Sequence, residues 1–108
     1  MKGVEFMSFR IETTMKGYEF RTLVESSFKD DDGNRVPYMT MVVENVDNCD
    51  QSRVSVPSDL RDMVRSLNIR RGMLVDLRVL ASAGSSYSKL QLVDLLDVYS
   101  PETGEVVS

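Results

Sequence analysis

One helix-forming stretch interrupts a chain that otherwise alternates like β-strands, and its position constrains the fold more than any other feature. Residues 53–80 read RVSVPSDLRDMVRSLNIRRGMLVDLRVL. Arg53, Val54, Ser55 and Val56 suit a short strand, which Pro57 ends because proline has no N–H to give to a ladder. Ser58 is the expected N-cap, with Asp59 and Asp62 in the first turn, where the helix dipole favours negative charge. Leu60, Met63, Val64 and Leu67 follow the i, i+3, i+4, i+7 spacing of one buried stripe, and Arg61 and Arg65 lie on the opposite face. Asn68 through Gly72 closes the helix and turns the chain. Met73, Val75, Leu77, Val79 and Ala81 then alternate with Leu74, Asp76, Arg78 and Leu80, the period of a half-buried strand with the first set inward.

The remaining segments supply more strands. In residues 17–29, Tyr18, Phe20, Thr22, Val24 and Phe28 are expected to face one way, and Glu19, Arg21, Glu25, Ser27 and Lys29 the other. The DDDGN run at Asp30 to Asn34 reads as a turn, because Asp-Gly and Gly-Asn supply the positive φ values of a tight hairpin. A second strand covers residues 36–46, with Pro37 at its start, and Asn45 to Ser52 is a polar turn. Ala83-Gly84-Ser85-Ser86 is a small-residue loop, followed by a last strand over residues 87–98 with Leu90, Leu92, Leu96 and Val98 on one face. Met1-Lys2-Gly3-Val4-Glu5-Phe6 is echoed by Met15-Lys16-Gly17-Tyr18-Glu19-Phe20, too short a repeat to define an architecture. Residues 1–16 are therefore expected to be an N-terminal extension or extra strand, residues 17–99 one domain, and residues 100–108 a flexible tail.

Composition removes whole classes of function. The 108 residues suit a single soluble domain, and no apolar run approaches the ~20 residues of a membrane helix. The absence of histidine excludes imidazole zinc sites and Ser-His triads, and the single Cys49 excludes an internal disulfide or a cysteine-rich metal site. No P-loop, nucleophile elbow or paired carboxylates are present, so no enzymatic activity, metal or cofactor is expected, and a reducing cytoplasm is the expected compartment. The Asp30–Asp32 cluster reads as a turn, since a calcium loop needs more ligands at regular spacing. The net charge of −4, from thirteen basic and seventeen acidic residues, counts against a strong polyanion binder unless the cations gather on one face.

Three strands, one helix and two further strands make the element order of the OB-fold, a five-stranded Greek-key barrel with its helix between strands 3 and 4. Over residues 17–99 the chain resembles that family. The segment Ile69-Arg70-Arg71-Gly72-Met73-Leu74-Val75-Asp76-Leu77 is similar to the basic turn and fourth strand of single-stranded DNA-binding OB domains. In size and layout the chain resembles small accessory proteins of plasmids, phages and integrative conjugative elements. The resemblance implies a helix that plugs one barrel end and a ligand face on strands 2 and 3, flanked by the loops between strands 1 and 2 and between strands 4 and 5. By position, that face would carry Tyr38, Thr40, Arg53 and Ser55, framed by Arg21, Lys29, Arg35, Arg78, Tyr87 and Lys89.

Single-strand binders combine cations that follow phosphates with aromatic rings on which bases stack. The nucleic-acid-binding candidates are thus Arg21, Lys29, Arg35, Arg53, Arg78 and Lys89 as cations, with Tyr38 and Tyr87 as stacking platforms. Each also has a structural reading: solvated sheet face for the cations, rim packing for the tyrosines, and dipole compensation at the helix end for Arg70-Arg71. The expected ligand is single-stranded DNA, with RNA as the related polymer. The alternatives are a module that presents a strand edge or Met-rich surface to a larger protein partner, and a structural subunit of a phage or secretion assembly. Self-association is left open, and no membrane association is expected.

Overall fold

The computed structural model describes residues 9–84 and 88–101. Its elements are β1 (Phe9–Lys29), β2 (Arg35–Asn45), β3 (Gln51–Ser55), α1 (Ser58–Ser66), β4 (Leu74–Ala83) and β5 (Ser88–Tyr99). The protein is mostly β, and its five strands close in a ring ordered β1-β2-β3-β5-β4, with the helix between β3 and β4 as expected. Every neighbouring pair is antiparallel except β3 and β5, which run parallel and pair at Val54↔Leu90 and Ser55↔Gln91.

Inside the ring, Met39, Met41 and Val43 of β2 meet Val75, Leu77 and Val79 of β4, with Val54, Val56, Leu92 and Val98 completing the lining. The helix lays its stripe over this core. Val64 is buried within it, and Leu60, Met63 and Leu67 pack against it. Arg61 donates from Nε to the Val56 carbonyl at 3.1 Å. Arg65 donates to the Glu25 carboxylate on β1 at 2.7 Å from Nη2 and to Asp62 at 2.8 Å from Nη1. The Arg65 hydrogen bond holds the Glu25 carboxyl below its usual range, and Glu25 in turn raises the guanidinium. Both side chains are solvated, so this tie orients the helix more than it stabilises the fold.

The helix start differs from expectation. Pro57 occupies the cap position with extended backbone, no side chain caps the first turn, and Ser58 is already helical. A proline here sets φ for the turn and carries no N–H to satisfy. At the other end Asn68 adopts φ 51°, the left-handed conformation that stops a helix.

β1 begins earlier than the sequence pattern suggests. Residues 9–16, set apart above as an extension or extra strand, are continuous with β1, pair with β4 from Phe9↔Ala83 to Met15↔Leu77, and bring Met15 into the core. The inward sets also change, because bulges insert an extra residue and reverse the alternation. Between Phe20 and Thr22 the pairing skips Arg21, so Leu23 packs on the core opposite Met41, while Thr22, Val24 and Phe28 leave the inward face. On β5, skips at Leu96 and Val93 turn Leu95 to the core and leave Leu96 37% exposed.

Asp76, expected to face outward into water, is only 8% exposed. Its Oδ1 accepts the Gly17 N–H at 2.8 Å and the Tyr99 hydroxyl at 3.2 Å. Gly17 has φ 69° at the place where β1 carries an extra residue against β4, between Met15 and Tyr18. A side chain there would be strained by the backbone, although it would meet the Tyr99 hydroxyl at no closer than ordinary contact, 3.6 Å. Replacement Asp76→Ala leaves the bend donor unpaired, and we expect a loss of about 1–3 kcal/mol in urea unfolding. Burial, reinforced by Asp76, raises the Tyr99 phenol above its ordinary value. Native Tyr99 therefore holds its proton more tightly than the unfolded chain. Its contribution is intact below a pH of about 10 and is lost as pH rises through the native pKa. Urea midpoints followed into alkaline pH should show that decline, and Tyr99→Phe should lack it.

Candidate nucleic-acid interface

β3 and β5 are held side by side at only two paired positions. On the N-terminal side of those positions they part, and the gap is a groove of about 480 Å³. Gln51, Ser52 and Arg53 of β3 form one wall, and Ala81, Ser82 and Ala83 of β4 with Ser88, Lys89 and Leu90 of β5 form the other. Small side chains make most of this lining, so the floor of the groove is open to close approach. Arg53 and Lys89 are both exposed, and no carboxylate lines the groove among the described residues. Two sequence candidates far apart in the chain are thus brought into one cationic cleft, beside the connection between β4 and β5. Tyr87, the candidate stacking platform nearest to it in sequence, lies outside the described residues.

A second cluster sits at the β1–β2 hairpin. Lys29 pairs with Arg35 across the last rung, and Arg35 donates from Nη1 to the Ser27 hydroxyl at 2.8 Å. Tyr38 is 37% exposed and meets Phe28 with ring centroids 6.3 Å apart. Phe28 is itself 51% exposed, because the bulge between Phe20 and Thr22 turns it to the face opposite Phe20. Its partner Val36 lies toward the hairpin from Met39, the outermost buried residue of β2, and no signal within β1 alone marks this exposure. The turn that follows is closed by Asp30, whose Oδ1 accepts the Asp32 and Asn34 amides at 3.0 and 2.9 Å, so that acid works as a turn residue. Tyr38 and Phe28 share the outer face of the β1–β2 ladder with Val42, the partner of Arg53, which lies about 13 Å along β2 from Tyr38 and is itself buried, whereas Lys29 and Arg35 alternate to the opposite face.

Two other candidates are engaged elsewhere. Arg21 donates to Glu19 at 2.8 Å and lies 4.0 Å from Glu44, so carboxylates already occupy its guanidinium. Arg78 lies 3.7 Å from Glu12 on the β1–β4 ladder. Neither joins the groove. Among the described residues there is no group of histidine, cysteine and acidic side chains able to hold a metal ion, and Cys49 is exposed in the loop before β3. No helix among them is long and apolar enough to cross a membrane.

No protein-family model matches the chain, and no curated protein or solved structure is significantly similar to it. The site therefore rests on its own geometry. If Arg53 and Lys89 serve a ligand and not the fold, Arg53→Ala and Lys89→Ala should each leave stability within about 0.5 kcal/mol of the parent in urea unfolding. Loss of more than this from either would assign it a structural role.

Proposed function

We propose that the protein is a non-catalytic OB-fold module that binds single-stranded DNA. The observation that carries this reading is the groove with Arg53 and Lys89 on its walls and, among the described residues, no acid in its lining. It lies on β3 and beside the β4–β5 connection, the region through which OB domains take oligonucleotides. The ring order and the helix between β3 and β4 agree with that assignment. Phosphates would follow Arg53 and Lys89, and bases would stack on Tyr38 and Phe28 where the same outer face reaches the hairpin. RNA offers the same phosphates and bases and is the competing polymer. The resemblance to accessory proteins of plasmids, phages and conjugative elements suggests a place in the replication or transfer of such an element, in the cytoplasm.

The net charge of −4 sets the expected strength. Acids at Asp30, Asp31 and Asp32 and along the outer side of β5 oppose a polyanion outside the groove, so binding should be modest and sensitive to salt. Fluorescence anisotropy with labelled oligo(dT) should show binding at ~50 mM salt that weakens steeply by ~200 mM. The double variant Arg53→Ala/Lys89→Ala should flatten the logarithmic salt slope by about 1.4, the value for two lost contacts to single-stranded phosphates. Tyr38→Ala should cost about 1–3 kcal/mol if a base stacks there. Absence of any binding at the lower salt would end the nucleic-acid reading. A stoichiometric protein partner that survives nuclease and high salt would put the interaction-module reading in its place.

A further inference from the structure

β1 is paired on both sides only along part of its length. Its contacts with β2 begin at Tyr18, whereas its contacts with β4 run back to Phe9. Among the described residues, no strand pairs with the other edge of β1 between Phe9 and Gly17. That edge presents alternate backbone N–H and C=O groups in an extended conformation, ready to pair with another strand. It also carries Ile11, 56% exposed, flanked by exposed Arg10 and Glu12.

We propose that this edge is a dimer interface, at which β1 pairs antiparallel with β1 of a second copy of the chain about a two-fold axis at Ile11. The side chains specify this register. With Ile11 opposite Ile11, each Arg10 faces the partner's Glu12, and each Glu12 faces the partner's Arg10. Glu12 already lies 3.7 Å from Arg78 of its own chain, so the pairing would place each carboxylate between two guanidinium groups on one sheet face. Sliding the strands to the next register of the same facing sets Arg10 against Arg10 or Glu12 against Glu12, and like charges directly opposite are unfavourable. Edge charges that merely protect against aggregation would serve best with one sign. One of each, two residues apart around an exposed isoleucine, is self-complementary. The result is an isologous contact in which the sheet runs on from one subunit to the other. A strand pair of this length buries less than a permanent dimer usually does, so the association should depend on concentration.

The test uses full-length protein in sedimentation equilibrium across a range of concentrations, with circular dichroism to verify folding. The parent should move from monomer to dimer as concentration rises. Arg10→Glu and Glu12→Arg should each weaken self-association by about tenfold or more, because each sets like charges opposite one another in both cross-strand pairs. An equimolar mixture of the two variants should regain the dimer, since every cross-strand pair is then of opposite charge. That regain is not expected of a fold defect or of a general charge effect. A parent that stays monomeric throughout overturns the proposal. So do variants that dimerise like the parent, which would place the interface elsewhere, and a mixture that fails to recover.

Discussion

β1 is 21 residues long and serves two partners, and a strand of that length cannot stay straight in so small a ring. It must leave the direction it shares with β4 in time to take up the one it shares with β2. The change is made at Gly17, where the backbone turns through positive φ and its N–H leaves the ladder to meet Asp76 Oδ1. The carboxylate replaces the missing ladder bond, and Tyr99 from β5 binds the same oxygen, so the bend, β4 and β5 are joined at one buried acceptor. Phe20 then exchanges backbone bonds with the turn before β4, its N–H reaching the Met73 carbonyl at 2.7 Å and its carbonyl accepting the Gly72 N–H at 2.9 Å. Ring closure depends on this corner, and the groove depends on ring closure.

The same construction sorts the charges. An acidic chain can present a cationic cleft when its acids are placed or spent elsewhere. Glu19 and Glu44 lie on Arg21, Glu25 and Asp62 on Arg65, and Glu12 on Arg78. Asp30 is used to close the first hairpin, and Asp76 to hold the bend. Among the described residues, the cleft between β3 and β5 is then lined mostly by small side chains, with Gln51, Leu90 and the cations Arg53 and Lys89. Net charge is a poor guide here, because the field a ligand meets is local and exposed charges beyond about 8–10 Å are largely screened.

Much of this architecture was legible in the order of residues. The helix was visible because Leu60, Met63, Val64 and Leu67 recur at its period between Pro57 and Asn68, and β4 because it alternates without a break. What escaped detection depends on long-range pairing. A bulge is one extra residue relative to a partner strand, and nothing within β1 or β5 alone announces that Arg21, Val93 or Leu96 will be the extra one. Each such residue reverses the inward set beyond it, which is how Leu23 and Leu95 took core places given to Val24 and Leu96. Asp76 read as a surface acid because its donors lie 59 and 23 residues away. Of the candidate binders, Arg53 and Lys89 converged because β3 and β5 are neighbours in the ring, whereas Arg21 and Arg78 were claimed by acids on adjacent strands.

The two rungs between β3 and β5 also have a mechanical meaning. β1 to β2 and β4 to β5 are long antiparallel ladders, whereas among the described residues the parallel joint of β3 and β5 pairs only at Val54↔Leu90 and Ser55↔Gln91. Thermal fluctuation opens a structure first where the fewest buried bonds resist it. Arg53 and Lys89 stand just outside that joint, one on each side, so their spacing is that of a jaw. If the groove takes a polyanion as proposed, it would be held across the joint of the ring with the fewest rungs.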